Sequence, residues 1–176
     1  MKKNIDNYII KLNAINNISQ KYLFEIRNEF FEKFNHSEVK EANIKAEITL
    51  TKKNEKFSLN IKLSGEIYNL LCDLCADNIS VDINSSSEIT IIETTENLES
   101  TDEIIYIHPH TKQLSIKHLL FELVNVSTPK KRQHPINKNG ESDCDTEMIE
   151  LIKEYTKIKT TPLEDQWAIL KDLKIT

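Results

Sequence analysis

The chain has 176 residues, 39% of them hydrophobic and 29% charged, with a formal net charge of −5. That is about one domain, long enough to bury a core without disulfide staples. Its two glycines, Gly65 and Gly140, cannot build either a GxGxxG or a GxxxxGK phosphate loop, and an acidic chain can hold nucleic acid only through a local basic patch.

The first half alternates at period two. YIIKL and YLFEI read as short strands, and NEFFEKF after them as a short helix or turn. Ile44, Ala46, Ile48 and Leu50 share one face of a strand, and Lys45, Glu47 and Thr49 the other. The polar TKKNEK turn leads to Phe57, Leu59, Ile61 and Leu63, which alternate with Ser58, Asn60, Lys62 and Ser64. The pattern predicts a hairpin with one wet face. Ile79, Val81 and Ile83 resume the alternation, so LLCDLCAD, with Cys72 and Cys75, falls at the tip of a second long hairpin. Residues 93–103, ETTENLESTDE, read as an acidic mobile loop, and IIYIH as a further strand.

Then the period changes. Ser115 is the expected N-cap of a helix carrying Ile116, Leu119, Leu120 and Leu123, which ends before Pro129. The 17 residues TPKKRQHPINKNGESDC form a loop long enough to suggest function. DTEMIELIKEY comes next as a short helix capped by Asp145 or Thr146. In TTPLEDQWAILKDL, Asp165 caps a last helix whose stripe of Trp167, Leu170 and Leu173 is expected to dock on the sheet. Hairpins followed by helices define an α+β class: a single domain over 1–176, β-rich in 1–108, helical and looped in 109–176, its antiparallel hairpins forming a sheet or partial barrel.

No apolar run approaches the ~18 residues of a membrane span, and MKKNIDNYII has no apolar leader region or cleavage site. The expected compartment is the cytoplasm, where an odd set of three cysteines stays reduced.

Cys72 and Cys75 have three readings. A CxxC on a β-turn supplies two thiolates of a tetrahedral zinc site, which Cys144 and His134 would complete as Cys₃His, although ten residues between that second pair is wider than usual. Alternatively the two are structural thiols near a strand end. A redox pair is the weakest reading, because thioredoxin-type CxxC opens a helix in a βαβ unit and this one sits between strands. His108 and His110 flank a proline turn, His118 lies on the new helix and His36 in a polar turn; such positions are more often exposed than ligating. No nucleophile–base or paired-carboxylate arrangement supports an enzyme. KKRQH, residues 130–134, is the one dense basic cluster; with Lys138 it could clamp phosphates, or it could be a solvated loop on an acidic protein.

Taken together, Cys72 and Cys75, the helix end from Glu122 to Pro129, His134 and Cys144, and the tail residues Asp165, Trp167 and Leu170 resemble the YceD family, bacterial proteins named for accumulation of large-subunit (23S) ribosomal RNA. The resemblance spans nearly the whole chain. Leu74 stands where the family usually carries arginine, Gln166 where it carries proline, and VNVSTP where its helix leads into a leucine-rich turn. The resemblance implies a non-enzymatic cytoplasmic factor in large-subunit rRNA accumulation or ribosome assembly. Lys130, Lys131, Arg132 and Lys138 would meet large-subunit rRNA or its precursor, and Glu96, Glu99, Asp102 and Glu103 a basic ribosomal protein. The alternative is a zinc-stapled protein-interaction module with no direct RNA contact.

Overall fold

The computed structural model describes residues 8–12, 19–35, 37–53 and 56–156. The expected cap Asp165, with Trp167, Leu170 and Leu173, and the turn residue His36 lie outside them.

The fold is α+β. Its main sheet takes β2 (Gln20–Ile26), β3 (Glu41–Lys53), β4 (Lys56–Leu71), β5 (Asn78–Glu93) and β6 (Ile104–Ile107) in that spatial order. A second, two-stranded sheet pairs β1 (Ile9–Lys11) with β7 (Gln113–Ser115). A four-residue α1 (Asn28–Phe31) follows β2, while α2 (Lys117–Ser127) and α3 (Thr146–Thr156) come late in the chain. Strands β2 to β5 are antiparallel neighbours, as consecutive hairpins must be, and β6 joins parallel to β5. The sheet is open: β2 and β6 are its edges. The parallel step needs no helix, because Ile104 pairs back with Thr90, so the intervening loop has only a few residues of strand to retrace.

The alternation puts Ile44, Ala46, Ile48 and Leu50 on the same buried face as Phe57, Leu59, Ile61 and Leu63. Ile10, Phe24, Phe30, Ile116, Leu120 and Val124 belong to the same cluster, so β1, α1 and α2 cover that face. Ser85 and Ser127 share a 2.6 Å hydroxyl hydrogen bond that ties α2 to β5.

Two features of β4 shape its course toward the cysteines. Gly65, opposite Ile44, has φ +153°, and a Cβ there would lie 2.2 Å from the Asn43 carbonyl oxygen; only glycine lets β3 approach so closely. Four residues on, Asn69 has φ 55° inside a bulge: Ile67 pairs with Val81, but Leu70, not Tyr68 or Asn69, pairs with Ile79. The extra residue reverses the inward phase of the strand. Odd-numbered Leu63 and Ile67 are buried before it, even-numbered Leu70 and Cys72 after it.

One expectation changes. Ser115 does not cap α2; it ends β7, paired with Ile9, and Ile116 takes the N-cap position without a side-chain cap. The pull of sheet pairing displaces the helix start by a residue or two. The acidic segment is organised by its own hydrogen bonds: Thr101 Oγ1 accepts from the Ile104 N–H at 3.1 Å, Ser100 Oγ from the Tyr106 N–H at 3.0 Å. Among the described residues no helix is long and apolar enough to cross a membrane.

Candidate metal centre

Cys72 lies just past the end of the bulged strand and points inward. The turn after it is closed by the Cys72 N–H on the Asp77 carbonyl at 2.8 Å and the Ala76 N–H on the Cys72 carbonyl at 3.0 Å, with Ala76 at φ 61°. The Leu74 N–H reaches back to Cys72 Sγ at 3.5 Å. This knuckle aims both thiols the same way, and both are buried.

The other two side chains come from the loop after α2. The wide interval between His134 and Cys144 folds as a turn of its own. Ile136 bridges Ser142, the Asn137 N–H donates to the Glu141 carbonyl at 2.8 Å, and Asn137 Oδ1 accepts from the N–H groups of Asn139 and Glu141, each at 2.9 Å. Gly140, at φ 84°, supplies the left-handed residue this turn needs. His134 and Cys144 thereby return to one place. Asp145 then caps α3, its Oδ1 accepting the Glu147 N–H at 2.8 Å.

The result is a compact cluster. His134 Nδ1 lies 3.4 Å from Cys75 Sγ and 3.5 Å from Cys144 Sγ, and the Cys72 and Cys144 sulfurs are 3.7 Å apart. All four ligand atoms fall within 4.8 Å of one another, an arrangement that can hold a metal ion, and it is the one such group among the described residues. Ile79 and Ile149 pack against the sulfurs. Burial pushes the Cys72 thiol up, but N–H groups of Cys75, Leu74 and His134 outweigh it and bring it down to about 6. Burial, reinforced by the neighbouring sulfurs of Cys72 and Cys144, raises Cys75. Hydrogen bonding to the Cys144 and Cys72 sulfurs raises His134, since it favours the imidazolium.

The remaining sequence candidates stand apart from this centre. His118 pairs with Glu122 at 3.2 Å on the exposed side of α2, and His108 and His110 are exposed at their turn. Lys130, Lys131 and Lys138 are exposed, as are Glu96, Glu99, Asp102 and Glu103. Arg132 is different. Its side chain is only 15% exposed and its Nη2 lies 2.6 Å from Glu38 Oε1, so its charge is committed within the molecule.

Sequence reasoning does not single out Asp73, whose N–H donates to the Arg132 carbonyl at 2.7 Å and whose Oδ2 accepts the Arg132 N–H at 2.6 Å. Its place between the two cysteines is the available signal; nothing in the sequence marks Glu38.

Fold and site together define an open-sheet α+β protein in which three buried cysteines and a half-buried histidine form one cluster. Compared with protein-family models, with curated proteins and with solved structures, the chain matches none of them.

Proposed function

We propose that the chain is a zinc-stapled, non-enzymatic binding factor acting in large-subunit rRNA maturation or ribosome assembly. The observation that carries the zinc reading is the spacing of the ligand atoms. Tetrahedral zinc with bonds of about 2.3 Å to sulfur and about 2.0 Å to nitrogen has sulfur–sulfur edges of roughly 3.8 Å and sulfur–nitrogen edges of roughly 3.5 Å. Three of the six separations here are 3.7, 3.4 and 3.5 Å, and all six lie within 4.8 Å. Three thiolates and one imidazole suit zinc and fill its coordination, which supports a structural site over one with an open position for substrate. Reduced thiols fit the cytoplasm.

The ribosomal part rests on the resemblance to the YceD family and on the cations exposed at the stapled loop. Lys130, Lys131 and Lys138 are offered to phosphates; Arg132, their neighbour in the basic cluster, is engaged with Glu38. A second reading has its own observation in the four exposed carboxylates Glu96, Glu99, Asp102 and Glu103 on a hydrogen-bonded loop, a surface suited to a basic ribosomal protein without RNA contact.

Elemental analysis tests the first claim: purified protein should carry about one zinc per chain, and Cys144→Ser should lower that content. Metal-free protein overturns it. A ribosome gradient tests the second. Charge reversal of Lys130, Lys131 and Lys138 should remove the protein from large-subunit precursors. If instead neutralising the four carboxylates removes it and the lysine reversals do not, the protein-binding reading replaces the RNA one. Circular dichroism checks that each variant is folded.

A further inference from the structure

The loop that carries His134 is held to the knuckle by more than its ligands. Asp73 sits between Cys72 and Cys75 and makes two reciprocal hydrogen bonds to the backbone of Arg132, donating at 2.7 Å and accepting at 2.6 Å, across 59 residues of sequence. Arg132 is two residues before His134, so fixing its peptide fixes the start of the ligand loop. The arginine side chain then turns away and is largely buried, its Nη2 on Glu38 at 2.6 Å and its Nε buried without a hydrogen-bond partner among the described residues. Glu38 belongs to the connection between α1 and β3, where Ser37 Oγ donates to the Val39 carbonyl at 2.6 Å. Three segments far apart in sequence therefore meet at Arg132, the knuckle on its backbone and Glu38 on its guanidinium.

A solvated surface arginine would not leave an N–H group buried and unpaired, since that forfeits a hydrogen bond to water. A phosphate-reading arginine would present its planar fork outward. This one does neither. We propose that Asp73, Arg132 and Glu38 form a clamp that positions the ligand loop on the knuckle and so sets how tightly the metal is held. The proposal rests on the zinc reading of the cluster. In metal sites, groups that orient the ligands from outside typically change affinity 10–100-fold when removed. Here the orientation acts through the backbone of the ligand loop: without it, His134 and Cys144 must be ordered by the metal alone, and the ordering entropy comes out of the metal's affinity.

The test is competition for zinc between the full chain and a chromophoric chelator, comparing the parent with Asp73→Ala, Asp73→Asn, Arg132→Met and Glu38→Gln. Asp73→Ala and Arg132→Met should still bind one zinc at saturation but hold it about 10–100-fold more weakly and release it faster. Asp73→Asn keeps an acceptor oxygen for the Arg132 N–H and should lie close to the parent. Melting of the metal-free forms should be unchanged by Asp73→Ala, which separates positioning from general destabilisation. Should Arg132→Met fail to fold, the Asp73 pair decides, because Asp73 is exposed. Affinities of Asp73→Ala and its asparagine counterpart within about twofold of the parent overturn the clamp while leaving the zinc site standing. A parent that binds no zinc overturns both.

Discussion

Single residues set the chemistry of this protein, and several are readable from the sequence. Cys72 and Cys75 announce a knuckle by their spacing, and the choice of Cys144 and His134 as partners matches the cluster the fold assembles. Arg132 misleads because charge in a sequence does not say whether a side chain faces water. Protonation gives the centre a testable signature. Cys75 and His134 both hold their protons more tightly than isolated groups would, so at neutral pH a metal must displace protons to bind. Apparent zinc affinity should therefore climb with pH, by about tenfold per pH unit for each proton displaced, between pH 7 and 8. Below about pH 6, Cys72 adds its own proton to those the metal must displace, so the affinity should fall more steeply there. Chelator competition at a series of pH values measures this, and a flat profile would contradict it. Gly65 offers a stability test. Alanine there drives a Cβ to 2.2 Å from the Asn43 oxygen in a backbone conformation that side chains rarely adopt. Urea unfolding should show Gly65→Ala less stable by about 2–3 kcal/mol.

At the scale of elements, period-two alternation locates β3, β4 and β5 because each has one buried and one wet face. What alternation cannot show is a change of phase within a strand. The bulge at Asn69 is such a change, and the metal centre depends on it, for it turns Cys72 from the wet face to the buried one. Deleting Asn69 should restore a regular register and turn either Cys72 or the strand above it to the wrong face. The expected outcome is a β-rich circular dichroism spectrum with zinc content reduced from one per chain toward none. Full zinc occupancy in the deletion variant would show that the bulge is incidental. The start of α2 escapes sequence reasoning for a related reason: Ser115 has good capping chemistry, but pairing with Ile9 draws it into a strand. In α3 the cap at Asp145 is legible and the helix forms there, with none of its residues buried.

At the scale of the whole molecule, the buried apolar residues among those described divide into two clusters. One runs from Tyr8 to Val124 and joins the sheet, β1, α1 and α2; the other is formed by Cys72, Cys75 and Cys144 with Ile149 against them, and Ile79 packs against both. The α+β class is written in the order of patterns along the chain, whereas this division is not, since it depends on which segments the cysteines gather. It predicts how metal loss should propagate. Chelation should expose residues 128–156 to proteolysis and hydrogen exchange while β3, β4 and β5 keep their protection, because the larger cluster does not draw on that segment. Uniform loss of protection across the sheet would mean that the two clusters unfold as one.

The separation in sequence between the two halves of the centre has a consequence during synthesis. His134 comes 59 residues after Cys75. At the ~5–20 residues per second of a translating ribosome, the knuckle waits about 3–12 s for its histidine, and longer for Cys144. Among the described residues, every member of the larger cluster has by then been made. A nascent chain can thus pair its long strands while two thiols stand without partners, and metal supply in that interval decides whether the segment carrying His134 and Cys144 is received onto a loaded knuckle.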